Sequence, residues 1–405
     1  MTGKPAKPVS PGLIIALISI PIFIGALDLT VVSAVLPHVI SDLEIPIQSG
    51  LGDASWIVTG YLLVYGAAMA FMGRLSDIYG RKRVYIVSLI IFTLGSLMVA
   101  ISDTVLLDLV LRVYYQFSSA RPDVSQLTLN ILIVSRMVQA FGGGAMVPVG
   151  MALVGDLYPK GGRAKALGII AAIDTAGWVI GHLYGGIIVF NFNWKLIFWL
   201  NIPICLIGLL LILLALRNLP QVQRGTKMDW LGAILISGAL AFIIMGLGSG
   251  SEVDIGANLE DRPPILWLPL IIGLALTVVL VFQQSKAKEP IFNPKLFRIW
   301  NFSIASIANF LIGAALFIAI ANVPLFINML VADTIEQGAL ESGWMLSTLT
   351  VPMALAAIPG GSITEKRGYR LPAIIGLVAA IVGFAMMSQW QIDTSYTTMA
   401  WQLVF

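Results

Sequence analysis

The sequence predicts an all-α protein that is solvated by lipid and assembled from two related helical bundles. Composition carries the first part of that expectation. Of 405 residues, 58% are hydrophobic and 11% charged, and the mean hydropathy is +0.92; a soluble domain has roughly a quarter of its residues charged. An internal repeat carries the second part. The segment Gly73-Arg-Leu-Ser-Asp77-Ile-Tyr-Gly80-Arg81-Lys82-Arg83 lies between two apolar runs and returns, degraded, as Gly361-Ser-Ile-Thr-Glu365-Lys-Arg-Gly368-Tyr-Arg370. Glycine, acid, glycine and base match at one constant offset. Two copies of a charged hairpin, each joining a pair of apolar helices, indicate a duplicated half, the build of many membrane proteins with a central midplane site.

A spanning helix needs about 20 apolar residues. That rule places spans at 13–40, 54–73, 84–101, 128–150, 164–190, 195–216, 229–249, 265–284, 300–330, 342–361 and 371–390, with a twelfth beginning at Tyr396. Lys4 and Lys7 precede the first run, but no small-residue cleavage site follows it, so it is read as a retained helix rather than a signal peptide. Pro21, Pro148, Pro203, Pro324 and Pro352 fall inside these runs; membrane helices tolerate them because neighbouring groups re-satisfy the backbone.

The charges sort by side. Of 24 lysines and arginines, only Arg112, Arg121, Lys195 and Arg262 fall on the side opposite the N-terminus, and Arg136 falls within a span. Acids such as Glu252, Asp254, Glu260 and Asp261 collect on that opposite side. The bias predicts a multi-pass protein of the cytoplasmic (inner) membrane with its N-terminus in the cytoplasm.

Residues 1–216 form a six-span bundle in this reading. Residues 217–299 hold the basic linker 217–227 and two inserted spans, and residues 300–405 begin a second bundle. Aligning the hairpins makes spans nine to eleven the counterparts of one to three. The second bundle is then short of about three helices, so the chain is expected to belong to a longer protein.

Three ionisable side chains lie within predicted spans: Asp28, Arg136 and Asp174. Charge at membrane depth costs at least ~2.5 kcal/mol on insertion scales, which makes each a functional candidate. At 1.5 Å per residue, Asp28 lies about 22 Å from the cytoplasmic end of its helix and Arg136 about 12 Å from the outer end of its own, depths that allow pairing. A neighbouring cation favours the ionised carboxylate and dehydration favours the neutral acid. Such an acid is either half of a static ion pair or a site that loads a proton on one side and releases it on the other. Gly177, Gly181 and Gly185 recur every four residues, with Gly186 beside the last, so one helical face admits a close partner backbone. His182 within that run is either a packed, hydrogen-bonded residue or a second proton site. Trp56, Tyr61, Tyr65 and Trp178 are candidates to line an aromatic cavity or to anchor at the interface, and Thr175 and Asn309 are grouped with the cavity candidates.

These motifs together resemble the major facilitator superfamily. Leu27-Asp28-Leu-Thr30-Val-Val-Ser-Ala-Val-Leu36-Pro37 is similar to the first-helix signature of its fourteen-helix drug:proton antiporters, in which that acid serves proton coupling. Arg136-Met-Val-Gln139-Ala-Phe-Gly142 resembles the Arg-x-x-Gln-Gly pattern of the fourth helix, departing at Ala140. The run from Gly177 to Gly186 resembles the Gly-Pro-x-x-Gly-Gly motif of exporters, with His182 in place of proline; there the helix packs against the second half. The resemblance implies a major facilitator fold with two six-helix bundles and two inserted helices, the second bundle incomplete in this chain. It implies proton coupling through Asp28, with Arg136 as its partner; Asp174 and His182 join them as candidate proton-coupling residues from their place within spans. The hairpin residues Gly73, Asp77, Gly80, Arg81, Glu365 and Arg370 either fix topology by keeping positive charge inside or form a conformational latch between the second helix and the eleventh of a full protein. Some relatives carry a functional acid one position after Asp174, where this chain has Thr175.

A narrower resemblance is to the mycobacterial-type exporters of triacylglycerides, which work with a periplasmic lipoprotein. It rests on Ala54-Ser-Trp56-Ile-Val-Thr-Gly-Tyr61-Leu, Val64-Tyr-Gly-Ala-Ala-Met-Ala, Phe198-Trp-Leu-Asn201-Ile-Pro203 and Ser388-Gln-Trp390-Gln-Ile-Asp393. The loop 102–126 and residues 326–333 are candidate docking surfaces for such a partner. The expected function is proton-coupled export of a hydrophobic or amphipathic substrate, lipid or drug. The alternatives are a multidrug:proton antiporter with no lipid role and an uncoupled lipid flippase or facilitator. Protons, membrane lipids and the cargo are the expected partners. With only His38, His182 and the single Cys205, and no nucleophile or metal motif, the chain is not read as an enzyme; no cofactor, metal, ATP loop or nucleic acid is implied.

Overall fold

The computed structural model describes residues 11–45, 47–118, 120–158, 162–217, 227–247, 266–327, 335–391 and 394–404. Lys4, Lys7, most of the basic linker, the acids from Glu252 to Asp261, the surface beyond Ile327 and Asp393 lie outside the described residues. In chain order the helices are α1 (Pro11–Asp42), α2 (Ile47–Tyr79), α3 (Arg81–Ala100), α4 (Val105–Phe117), α5 (Val124–Leu157), α6 (Arg163–Asn191) and α7 (Lys195–Ala215). There follow α8 (Trp230–Gly246), α9 (Trp267–Lys286), α10 (Trp300–Phe326), α11 (Ile335–Arg367), α12 (Arg370–Met387) and α13 (Tyr396–Gln402). Nine of the described helices are long and apolar enough to cross a bilayer. In lipid a helix satisfies its backbone internally, and each predicted span coincides with a helix.

Two differences have physical causes. The predicted spans stop where polarity rises, yet α2, α5 and α11 run several residues further, because hydrogen bonding continues past the hydrocarbon edge. The predicted loop 102–126 contains α4, whose start follows a turn in which Leu106 N donates to the Ile101 carbonyl. Polar caps mark other starts: Asp123 accepts from Gln126 N at α5, Asp229 from Gly232 N at α8 and Ser395 from Thr398 N at α13. The repeated hairpin glycines behave alike. Gly80 (φ 94°) and Gly368 (φ 79°) both occupy the positive-φ region just before a helix, where any side chain is strained.

Helix α1 packs on α6, α5 on both α2 and α3, α3 on α7, and α6 on α11. Two apolar cores fill the first seven helices. One, towards the charged hairpin, gathers Ile18, Ile22, Tyr85, Leu89, Phe92 and Met146; the other, towards the opposite face, gathers Val31, Ile40, Ile57, Leu132, Ile197 and Phe198.

Helices α8 and α9 pack on each other and α8 rests on α2. Gln283 and Gln284 both donate to Asp229, closing the base of this pair. Beyond it, Glu289 pairs with Arg74 of the first hairpin at 2.5 Å and accepts from Lys227 N at 3.2 Å. The pair is partly exposed (21% and 32%), so its net value is about 1 kcal/mol or less. Arg74→Glu is expected to lower the thermal midpoint, and adding Glu289→Arg to recover most of the loss. A thermal-shift double-mutant cycle showing purely additive effects would mean that the pair contributes nothing.

Candidate functional site

Asp28 sits on α1 where the two apolar cores meet, and it is 0% exposed; Arg136 on α5 is 1% exposed. Burying both ions is tolerable only with close pairing and with their remaining atoms satisfied. The Arg136 Nη1 donates to Asp28 Oδ2 at 2.5 Å and to Gln139 Oε1 at 2.6 Å, and its Nη2 donates to the Asp28 backbone carbonyl at 3.2 Å. The second carboxylate oxygen, Oδ1, accepts from Gln139 Nε2 at 3.0 Å and from Asn201 Nδ2 of α7 at 3.1 Å. Gln139 Nε2 also donates to Ser96 Oγ on α3 at 2.8 Å. The guanidinium lies 4.0 Å above the Tyr61 ring and 5.5 Å from Phe198, faces whose quadrupoles attract a cation. Three helices thus meet on the carboxylate, α1, α5 and α7, and α2 and α3 complete the layer through Tyr61 and Ser96.

Three polar atoms of this layer, Arg136 Nε, Asn201 Oδ1 and the Tyr61 hydroxyl, have no hydrogen-bond partner among the described residues. An amide is two-faced. Its NH2 serves a carboxylate, and its oxygen accepts from the same acid once protonated.

The crossing of α1 and α6 holds Asp28 in register. A Cβ at Gly177 would lie 2.6 Å from the Phe23 carbonyl oxygen, and one at Gly181 would lie 2.5 Å from that of Leu27. Thr30 Oγ1, two residues beyond Asp28, donates to the Trp178 carbonyl at 2.7 Å. Gly185 is buried, whereas nothing lies within 4 Å of a Cβ at Gly186. Gly177 and Gly181 thus face α1. The contact of α6 with the later helices uses Gly168, whose Cβ would meet the Ala357 carbonyl at 3.1 Å, and Gly361, whose Cβ would meet that of Ala164 at 3.1 Å.

A cavity of about 180 Å³ opens between α6 and the pair α10 and α11, lined by Asp174, Thr175, Trp178, Val179, Leu316, Leu346, Thr350 and Met353. Asp174 Oδ1 and Trp178 Nε1 have no hydrogen-bond partner among the described residues. Trp178 also belongs to the buried cluster of Leu29, Tyr61, Tyr65 and Ala140, in which Tyr61 and Tyr65 stack at 5.9 Å. The cavity wall thus packs against the cluster that contains Tyr61, the ring on which Arg136 rests. Of the expected cavity residues, Thr175 and Trp178 line it; Tyr61 and Tyr65 lie behind its wall, Trp56 is half-buried elsewhere and Asn309 is exposed. The His182 side chain lies outside the described residues.

The first charged hairpin engages the ends of α5 and α7, and the second engages the start of α6. Arg81 pairs with Asp77 at 3.0 Å and with Asp156 near the end of α5 at 2.6 Å, and it donates to the Ala152 carbonyl. Lys82 Nζ donates to the Leu216 carbonyl at 2.5 Å. Glu365 accepts from Gly162 N at 2.6 Å, where an acid at a helix start is favoured by the dipole. Arg370 is exposed, and Gly73 has open space around it. Sequence reasoning passed over Gln139, Ser96 and Asn201 as site residues. Their signal was weak but present, since each is a polar side chain inside an apolar run.

Comparison with known proteins now adds to this geometry. The triacylglyceride transporter of Mycolicibacterium smegmatis is 32% identical over 377 residues, covering 93% of this chain and 61% of the relative. Multidrug resistance protein 3 of Bacillus subtilis is 26% identical over 406 residues, covering 100% of this chain and 71% of the relative. The chain therefore spans about three fifths of the length of the first of these relatives. Among solved structures, the proton:xylose symporter XylE bound to 6-bromo-6-deoxy-D-glucose superposes with a TM-score of 0.57 at 14% identity, over 97% of this chain and 78% of that one, a likeness of fold. The sequence pattern of the Major Facilitator Superfamily matches residues 18–405, and the chain, a multi-pass membrane protein, belongs to that superfamily.

Proposed function

We propose that this protein couples proton entry to the export of a hydrophobic or amphipathic substrate by alternating access, with its N-terminus in the cytoplasm. The supporting observation is the five-helix polar layer around Asp28, an acid whose charge is balanced by one arginine and contacted by two adaptable amides. Asp28 is sealed in this conformation, so the reading requires a second conformation in which the α1–α5–α7 layer opens. The cavity beside Trp178 is the candidate cargo site; its mainly aliphatic lining suits a neutral lipid or a lipophilic drug. The names of the relatives support lipid and drug cargo alike. In the lipid reading, a periplasmic lipoprotein receives the exported molecule.

A second reading, in which Asp174 carries the proton, is favoured by its place on the cavity wall. In both readings the driving force is the same. One charge moved through 100 mV provides ~2.3 kcal/mol, which sustains about a fifty-fold gradient. In liposomes holding the full-length protein, an imposed proton gradient is expected to drive uphill movement of a fluorescent triacylglyceride or lipophilic dye, and nigericin with valinomycin to erase it. Equilibration indifferent to the gradient would identify an uncoupled facilitator instead.

A further inference from the structure

The segment joining α3 to α5 is more than a connector. It leaves the bilayer at Ala100 and returns at Val124, so both of its ends lie at the membrane surface opposite the charged hairpins. Between them α4 runs for 13 residues, about 20 Å at 1.5 Å per residue. Its side chains divide into three faces. Leu107, Tyr114 and Leu111 are half-buried on the side turned to the protein, and the helix packs on α5. Asp108 and Arg112 are exposed together on a second side and cancel in charge. The third side carries Val105 (63% exposed), Leu109 (59%), Val113 (49%) and Phe117 (85%). At a spacing of four residues these form one ridge along the helix.

Four large apolar side chains projecting into water at the edge of a bilayer is a costly arrangement, and the bilayer itself removes the cost. The lipid-facing surface of α3, marked by exposed Val87, Ile90 and Leu94, leads up to this segment, and exposed Val124 opens α5 on the other side. The α4 ridge therefore continues an existing lipid-covered surface. Its polar side carries no net charge that would steer a charged partner protein.

We propose that α4 is an interfacial helix, lying along the surface of the leaflet opposite the charged hairpins with Val105, Leu109, Val113 and Phe117 in the acyl-headgroup boundary. A helix with one apolar side and one polar side settles in this plane, its apolar side chains reaching ~5–10 Å inward. Aromatic Tyr114 and Tyr115 suit the same depth. The occupant of this face is phospholipid, and α4 anchors the outer ends of α3 and α5 at a fixed depth while the bundles move.

Spin labels placed on the full-length protein test this in a Cys205→Ala background, in liposomes of phosphatidylethanolamine and phosphatidylglycerol with Ni-EDDA on both sides. Labels at Leu109→Cys, Val113→Cys and Phe117→Cys are expected to collide more with oxygen than with Ni-EDDA, the signature of lipid. Labels at Asp108→Cys and Arg112→Cys are expected to show the reverse. All five positions are exposed, so these variants leave the packing intact. Ni-EDDA access at all five would place α4 in water and overturn the proposal. Exclusion of both reagents at positions 109, 113 and 117 would also overturn it, because a protein partner or a second copy would then cover the ridge.

Discussion

Asp28→Asn is expected to abolish proton-driven transport and to lower stability, and the two effects should be separable. The substitution keeps the shape of the side chain but removes the charge that Arg136 faces at 2.5 Å. With Arg136 only 1% exposed, a buried cation is left unbalanced, and breaking such a pair costs about 3–5 kcal/mol. Removing the cation as well, in Asp28→Asn with Arg136→Gln, should restore most of the thermal midpoint because neither charge remains. Transport should not return, since the titratable group is gone. A double variant that recovers both folding and gradient-driven transport would assign Asp28 a structural role alone. The pair of measurements distinguishes a pump that has unfolded from a folded pump with no proton site.

The second large effect is expected at the crossing of α1 and α6. Gly181→Ala puts a methyl group 2.5 Å from the Leu27 carbonyl, one residue before Asp28. Backbone cannot step aside as a flexible side chain does, so the helices must separate and the Thr30 bond to the Trp178 carbonyl stretches. Overpacking of this kind costs about 1–3 kcal/mol. Its larger consequence is misplacement of the carboxylate, expected to reduce transport at least ten-fold. Gly186→Ala, a turn further on with nothing within 4 Å, serves as the control and should be silent in both thermal midpoint and transport. Equal behaviour of the two variants would mean that the close approach at Gly181 does not position the site.

Much of the fold was legible because lipid imposes a coarse rule. An apolar run of sufficient length must be a helix, so each of the spans from 13–40 to 371–390 corresponds to one. Asp28 and Arg136 were legible for the same reason, since charges are costly at that depth. The rest depended on three-dimensional neighbours. Gln139, Ser96 and Asn201 are common polar residues, and only the meeting of α3, α5 and α7 around α1 turns Gln139 and Asn201 into carboxylate ligands and Ser96 into the support of Gln139. The face on which Gly177 and Gly181 act was also hidden: spacing indicates a close approach but not to which helix, and the partner is α1. The fourth helix was missed because its 13 residues are too short for a span, and its polar residues made 102–126 read as a loop. The hairpins were visible as a repeat, whereas their different partners, the ends of α5 and α7 for the first and the start of α6 for the second, depend on the packing of distant helices.

The cavity residue Asp174 and the sealed residue Asp28 compete for one role, and the geometry ranks them differently. Asp174 has the open approach; Asp28 has the machinery, with donors from Arg136, Gln139 and Asn201 converging on it. Substrate arriving beside Trp178 would press on a cluster that includes Tyr61, the ring beneath the Arg136 guanidinium. Under the proposed function, that packing would be a short physical route from cargo to Asp28 without direct contact between the two.

Infrared difference spectroscopy of the full-length protein in membranes, recorded as pH is lowered and cargo is added, addresses this most directly. The C=O stretch of a newly protonated carboxylic acid should appear in the native protein, persist in Asp174→Asn and vanish in the Asp28→Asn, Arg136→Gln pair. A band that survives in that pair and disappears in Asp174→Asn would contradict the assignment and move the proton to the cavity wall.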